Sequence, residues 1–175
     1  MNKKIIWGLA SLFLLAGCAT FESAEVREQR YGKAAPVIDQ YFASQAMKKG
    51  DTWRIYLKAS DPDGDMKTIV AYLGGGAMGG TTPVSHTRIK EDGRREINGY
   101  LYWYPGFDSY AVPEMVMTIQ IQDMAGHFSN PVSLPLTMKL SGSQESPPQG
   151  VFQEKELGPI MITIQRKGGG DGGGM

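Results

Sequence analysis

Short runs of alternating apolar and polar residues dominate the chain from Pro36 onward. The clearest run is residues 52–59, where every second side chain from Trp53 to Ala59 is apolar. A two-residue period is typical of a β-strand with one buried face. Similar runs are found at residues 36–42, 68–73, 97–104, 115–122 and 132–138. The pattern predicts a small all-β domain, and we expect its core to be centred on Trp53, Ile55, Leu57, Ile119 and Ile121.

Gly, Pro and Asp separate these runs and predict where the chain turns. The Asp-Pro-Asp-Gly-Asp sequence at residues 61–65 is typical of a tight turn, because Pro and Gly set the backbone angles and Asp side chains accept local amide hydrogen bonds. Residues 91–94 predict a hairpin turn, and residues 123–127 predict another turn. Residues 74–83 are glycine-rich and predict a loop.

The flanks of the β-rich region differ from it in composition. Residues 18–35 are charged and lack an apolar period, which predicts a tether before a domain spanning residues 36–139. Residues 140–150 are rich in Ser, Gly and Pro and predict a linker. Within residues 151–167, alternation at Ile160, Ile162 and Ile164 predicts one more strand that must pair at a sheet edge. The glycine-rich residues 168–175 predict a disordered tail.

The N-terminus has the pattern of an export signal. Lys3 and Lys4 precede an apolar stretch at residues 5–16 that is too short to span a bilayer as a helix. Residues 15–18, Leu-Ala-Gly-Cys, resemble the lipobox of bacterial lipoproteins. That resemblance implies that residues 1–17 are cleaved and that Cys18 is acylated, which would hold the domain on a membrane. Ala19 stands where such lipoproteins carry Asp as an inner-membrane retention signal, so the resemblance implies the outer membrane, facing the periplasm.

Charge and cysteine content exclude several classes of function. The chain has 18 basic and 18 acidic residues and no formal net charge, so it lacks the basic field that nucleic-acid binders require. Cys18 is the sole cysteine. Once it is acylated, no thiol remains for a disulfide, a metal site or a nucleophile.

Three segments carry a resemblance to bacterial immunoglobulin-like domains. They are Pro-Val-Ile at residues 36–38, Ala-Ser-Asp-Pro-Asp-Gly-Asp at residues 59–65, and residues 118–129 with Asp-Met-Ala-Gly-His. The resemblance covers residues 36–139 and implies a single antiparallel immunoglobulin-like β-sandwich. His127 replaces the usual Asn, and residues 74–113 match no pattern of the family. Such sandwiches serve adhesion, envelope scaffolding and enzyme accessory roles alike.

Four aspartates form the first candidate site. The turns that carry Asp61, Asp63, Asp65 and Asp123 are expected at one end of an immunoglobulin-like sandwich. Calcium takes six to eight oxygen ligands, so these carboxylates are candidate calcium ligands. The spacing is not that of an EF-hand, since Tyr72 stands where the last ligand would be. The alternative is a turn whose aspartates only accept backbone hydrogen bonds. No other cofactor is predicted.

A tyrosine stripe forms the second candidate site. Tyr100, Tyr102 and Tyr104 alternate along one strand and share a face. Tyrosine is enriched in protein interfaces, so these residues are candidates for a binding surface. The alternative is a half-exposed sheet face, which the strand preference of tyrosine explains.

No motif points to catalysis. His86 and His127 stand in no metal-binding spacing, and no Gly-x-Ser-x-Gly sequence is present. We therefore predict a membrane-anchored envelope lipoprotein that acts as a non-catalytic binding or scaffolding module with a protein partner. Two alternatives are a calcium-dependent ligand or carbohydrate-binding module, and an accessory subunit of an envelope enzyme or secretion complex that donates its C-terminal strand to a partner.

Overall fold

The computed structural model describes residues 22–74, 83–105 and 114–164. Cys18, the signal sequence, most of the glycine-rich loop and the C-terminal tail lie outside these ranges. The described residues form one helix, one 3₁₀ turn and nine strands: α1 Ala24–Tyr31, β1 Val37–Ala43, β2 Ala46–Lys48, β3 Trp53–Ser60, β4 Met66–Gly74, β5 Val84–Arg88, the 3₁₀ turn Glu91–Gly93, β6 Glu96–Trp103, β7 Glu114–Asp123, β8 Val132–Lys139 and β9 Glu156–Ile160. No helix within these ranges is long and apolar enough to cross a membrane.

The strands form an immunoglobulin-like sandwich of two sheets. The four-stranded sheet has the order β1-β3-β6-β9, and the five-stranded sheet has the order β2-β8-β7-β4-β5. The apolar faces of both sheets contribute to one core. All five residues expected at its centre are fully buried: Trp53, Ile55, Leu57, Ile119 and Ile121. The sequence prediction of fold class and core is confirmed.

The outward face of β3 departs from the alternating pattern at Tyr56. Tyr56 lies on the face of β3 that carries the polar side chains Arg54 and Lys58, yet Tyr56 is only 4% exposed. The rings of Phe42, Tyr100 and Phe152 pack around it, with centroid separations of 5.6–6.4 Å. Phe152 comes from the C-terminal segment, so residues far along the chain bury a side chain that the local pattern leaves exposed.

The sandwich is not wholly antiparallel, which corrects one detail of the sequence prediction. β2 pairs with β8, and β9 pairs with β6, in parallel. The chain crosses from the four-stranded sheet to the five-stranded sheet between β1 and β2. After this crossing, β2 lies beside β8 and the two strands run in the same direction. Trp53 stabilises this crossing, because its buried Nε1 donates a 2.8 Å hydrogen bond to the backbone oxygen of Ser44.

The hairpin predicted at residues 91–94 is wrong. β5 belongs to the five-stranded sheet and β6 to the four-stranded sheet, so the 3₁₀ turn at Glu91–Gly93 lies in a connection between sheets. A turn sequence reports a local change of direction. It does not report which strands then pair, because that choice depends on long-range contacts.

The C-terminal segment wraps around the edge of the four-stranded sheet. Lys155 O accepts a 2.9 Å hydrogen bond from Tyr100 N, and Ile162 O accepts one of 2.9 Å from Trp103 Nε1. Gly99 permits this approach, since a Cβ there would lie 2.2 Å from Lys155 O. The extra strand, β9, lies at Glu156–Ile160, so of the three isoleucines whose alternation predicted it only Ile160 belongs to it. It pairs with β6 of its own chain, whereas one alternative assumed donation to a partner.

Part of the predicted tether is a helix. Ser23 is its N-cap and accepts a 3.4 Å hydrogen bond from Val26 N at its side-chain oxygen. No residue of α1 is buried. Its sequence has no helical period of apolar residues, so the periodicity of the chain did not predict this helix. The helix is instead joined to the sandwich by polar contacts, described below.

Candidate functional site

Three connections meet at one end of the sandwich, which we call the aspartate end: the turn at residues 61–65, the link at residues 89–95 and the loop at residues 124–131. Asp61 follows β3, Asp65 precedes β4, and Asp123 closes β7. β4 and β7 are neighbours, and Met66 pairs with Asp123. The antiparallel pairing therefore brings Asp65 beside Asp123, as the sequence analysis expected for the two turns.

The three carboxylates form a compact buried cluster. One side-chain oxygen from each of Asp61, Asp65 and Asp123 lies within 4.8 Å of one from each of the others. Their exposed fractions are 1%, 7% and 1%. Buried carboxylates at this separation repel one another unless a proton or a cation neutralises them.

Asp61 holds the turn together and still leaves one oxygen without a partner. Its Oδ1 accepts hydrogen bonds from the amides of Asp63 at 2.9 Å and Gly64 at 3.2 Å. Its Oδ2 is buried and has no hydrogen-bond donor among the described residues. A buried acceptor without a donor costs free energy, so this oxygen requires either a proton shared with the Asp65 carboxyl group or a cation.

Asp65 shows the same division between its two oxygens. Oδ2 accepts a 3.2 Å hydrogen bond from Met124 N, while Oδ1 is buried with no donor within the described part of the chain. Burial, together with the negative charges of Asp123 and Asp61, raises the pKa of Asp65 to about 6. This carboxyl group therefore takes up either a proton or a metal cation more readily than an exposed aspartate does.

Asp123 connects the cluster to His127 and to α1. Its Oδ1 accepts hydrogen bonds from the amides of Gly126 at 2.6 Å and His127 at 2.7 Å. His127 Nδ1 lies 2.9 Å from Asp123 Oδ2, and its Nε2 lies 3.4 Å from Glu28 Oε1. Burial alone would lower the pKa of His127, but the hydrogen bonds to Asp123 and Glu28 outweigh it and raise that pKa.

Asp63, the fourth predicted ligand, lies outside the cluster. It is exposed, and its Oδ2 accepts a 2.8 Å hydrogen bond from Ala34 N in the segment after α1. Gly32 packs against this carboxylate so closely that a Cβ there would lie 2.0 Å from Oδ2. The turn thus points Asp61 and Asp65 inward and uses Asp63 to hold the N-terminal segment.

The tyrosine stripe is partly covered by the protein itself. Tyr100 packs against Tyr56, and the Arg54 guanidinium lies 4.7 Å from the centre of the Tyr100 ring. Arg54 also pairs with Glu154 of the C-terminal segment at 3.2 Å. Tyr102 is half-buried and Tyr104 is 46% exposed. The part of the predicted binding face that remains accessible is centred on Tyr102 and Tyr104.

Comparison with known proteins adds a distant likeness to a solved structure. No protein-family model matches the chain, and no curated protein is significantly similar to it. Among solved structures, the chain is similar to the PKD domain of an M14-like peptidase from Thermoplasmatales archaeon SCGC AB-540-F20. The identity is 19% and the TM-score 0.35, over 61% of this chain and 96% of that domain. A likeness at this level assigns neither a family nor an activity to the chain.

Proposed function

We propose that this protein is a lipid-anchored, non-catalytic binding or scaffolding module of the bacterial cell envelope. The observation that carries the proposal is the Leu-Ala-Gly-Cys sequence ending at Cys18, a short distance before a folded β-sandwich. A module of this kind needs an anchor and a rigid body, and it needs no catalytic residues. Its location is the outer membrane, with the sandwich in the periplasm, and its partner is another envelope protein.

The short spacing between Cys18 and the helix supports a proposal for which end of the sandwich faces the membrane. Four residues, 18–21, span at most about 14 Å when fully extended. α1 begins at Ala24, after Glu22 and the N-cap Ser23, and it contacts the aspartate end, where Arg27 Nε donates a 2.8 Å hydrogen bond to Ala125 O. A protein acylated at Cys18 therefore holds its aspartate end towards the bilayer and directs the opposite end at the periplasm.

Metabolic labelling tests the anchor. Cells that express the wild-type chain should incorporate a tagged fatty acid into this protein, and Cys18→Ser should incorporate none, because it lacks the thiol that forms the thioether. Fractionation should place the wild-type protein in the outer membrane. Equal labelling of the two forms would refute the anchor.

A second candidate function is calcium-dependent binding. It is favoured by the two buried oxygens without donors, Asp61 Oδ2 and Asp65 Oδ1. Calcium binds carboxylate oxygens and takes waters for the remainder of its coordination shell, so the cluster offers the ligand type that calcium requires. A calcium ion there would lock the turn at residues 61–65 to the loop at residues 124–131. Equilibrium dialysis with radioactive calcium tests this, with Asp61→Asn expected to abolish binding.

A further inference from the structure

A basic groove lies beside the buried aspartates on the outer side of β4 and β5. It encloses about 290 Å³ and is lined by Lys67, Thr68, His86, Arg88, Ile89, Arg94 and Met124. A second concavity continues from it and is lined by Arg88, Ile89, Lys90, Glu91 and Arg94. Because the two share three lining residues, we treat them as one surface and call it the basic groove.

Three of the four cations of this groove have no ion-pair partner among the described residues. They are Lys67, Arg88 and Lys90. Glu91 is the one acidic residue of the lining and lies 3.4 Å from Arg94 Nη2. The adjacent Asp92 pairs with Lys155 at 3.0 Å. Four cations and one carboxylate line the groove, so its surface is locally positive, although Asp61, Asp65 and Asp123 are buried beside it.

Arg94 is the least exposed cation of the groove. Its Nε is buried and has no hydrogen-bond acceptor among the described residues. A guanidinium presents Nε and its outer nitrogens as a fork that matches two oxygens of a phosphate or carboxylate. The Arg94 side chain is 27% exposed and its Nη2 lies 3.4 Å from Glu91 Oε1, so it adds a partly buried cation to the groove.

The position of the groove indicates which kind of anion it would meet. Met124 lines the groove, and the next residue, Ala125, accepts the hydrogen bond from Arg27 of α1. The groove therefore belongs to the end of the sandwich where the N-terminal segment arrives. If Cys18 is acylated, the chain between it and Glu22 reaches at most about 14 Å, so the groove is held close to the lipid headgroups.

We propose that the basic groove binds the phosphate of an anionic phospholipid headgroup in the same membrane that carries the anchor. The proposal rests on the proposed lipid anchoring for its choice of lipid over a soluble ligand. Basic side chains near an anionic membrane surface each contribute modestly to binding, and together they orient a protein that is already anchored. The groove would thus fix the orientation of the sandwich relative to the membrane surface.

Vesicle sedimentation tests this with a chain that begins at residue 18 and carries Cys18→Ser. This chain keeps every described residue and has neither signal sequence nor acyl group. It should bind vesicles of phosphatidylcholine mixed with phosphatidylglycerol, and not vesicles of phosphatidylcholine alone. Removing each groove cation should weaken binding about fivefold, equivalent to ~1 kcal/mol per charge. Added salt should weaken binding further.

A matched pair of double variants separates the groove from general charge. Lys67→Gln with Arg88→Gln removes two exposed groove cations, and Lys48→Gln with Lys139→Gln removes two exposed cations at the opposite end. Both doubles should keep the melting temperature of the parent, since none of the four side chains is buried. The groove double should lose about 25-fold in vesicle affinity, and the control double should match the parent. Equal losses in the two doubles would overturn the proposal.

Two further results would distinguish the ways in which the proposal can fail. Glycerol phosphate that binds the groove in solution, without any binding to vesicles, would overturn the assignment to a membrane lipid. Fatty-acid labelling of the wild-type chain tests the anchor separately. Vesicle binding by the Cys18→Ser chain without such labelling would refute the anchor alone, whereas labelling without vesicle binding would refute the groove alone.

Discussion

Arg27 joins the N-terminal helix to Ala125 in the loop after β7, because the Arg27 side chain donates a 2.8 Å hydrogen bond to the Ala125 backbone oxygen. Ala125 lies just after Asp123, so the same loop accepts α1 and supplies one carboxylate of the cluster. The orientation of the helix and the state of the aspartates are therefore linked through a few residues.

Arg27→Ala should release α1 from the sandwich. The contact is partly buried and involves a charged donor, so its loss should cost about 1–3 kcal/mol. Amide hydrogen exchange should increase in residues 24–31 and at residues 125–127. Arg30→Ala is the matched control, because Arg30 lies on the same helix as Arg27 and makes an exposed ion pair with Glu22 before the helix. Unchanged exchange in Arg27→Ala would show that other contacts hold the helix.

Calcium should raise the melting temperature, with a gain that grows with the logarithm of free calcium, because the ion binds the folded state. Asp61→Asn should remove most of this gain, since it alters a buried oxygen that lacks a donor. Asp63→Asn is the matched control in the same turn and should keep the gain, because Asp63 lies outside the cluster. If neither calcium nor chelator changes the melting temperature of the wild type, the cluster binds no calcium and the turn is purely structural.

Stability in the presence of a chelator should fall as the pH rises. The pKa of Asp65 is about 6 in the folded protein and 3.8 when unperturbed, so the folded state binds more protons between these values. The raised pKa of His127 acts in the same direction. The free energy of unfolding should thus be greater at about pH 5 than at about pH 7. Asp65→Asn should reduce this slope, and denaturant titrations at the two pH values measure it.

Ile119→Ala should destabilise the fold by roughly 2–5 kcal/mol, because it leaves a cavity at the centre of the core. Val116→Ala on the same strand is the control, since that side chain is 38% exposed and leaves no enclosed void. Urea denaturation measures both. Equal midpoints for the two variants would mean that the faces of β7 are wrongly assigned.

Gly99→Ala should displace the C-terminal segment from the edge of β6. The added methyl group would meet Lys155 O, a backbone atom that moves only if the segment moves. Gly74→Ala is the matched control within another strand, since its nearest neighbour is Val116 O at 3.9 Å. Limited proteolysis should cut Gly99→Ala before β9 faster than the wild type. The same cutting rate in both variants would contradict the close approach.

The candidate site was only partly predictable. An aspartate-rich turn is visible in residues 61–65, and an immunoglobulin-like order places it near Asp123, so three of the four aspartates predicted to be neighbours do lie together. Asp63 could not be separated from the others, because the direction of a side chain within a turn depends on what packs against it. Arg27 and Glu28 gave no signal at all, since α1 buries nothing and contacts the sandwich through polar groups.

Alternation along the chain predicted six of the nine strands of the described residues, β1, β3, β4, β6, β7 and β8, and the five residues at the centre of the core, because alternation is a local property that burial on one face imposes. It did not predict β2 or β5, which are short strands at the two edges of the five-stranded sheet. The sequence also supplied the lipobox at Cys18, which stays a prediction. Tertiary structure alone decided the parallel pairings of β2 and β9, the crossing between β5 and β6, and the grouping of Lys67, Arg88 and Arg94 into one groove. Each of these depends on contacts between distant parts of the chain, and only the packing of the whole sandwich selects among them.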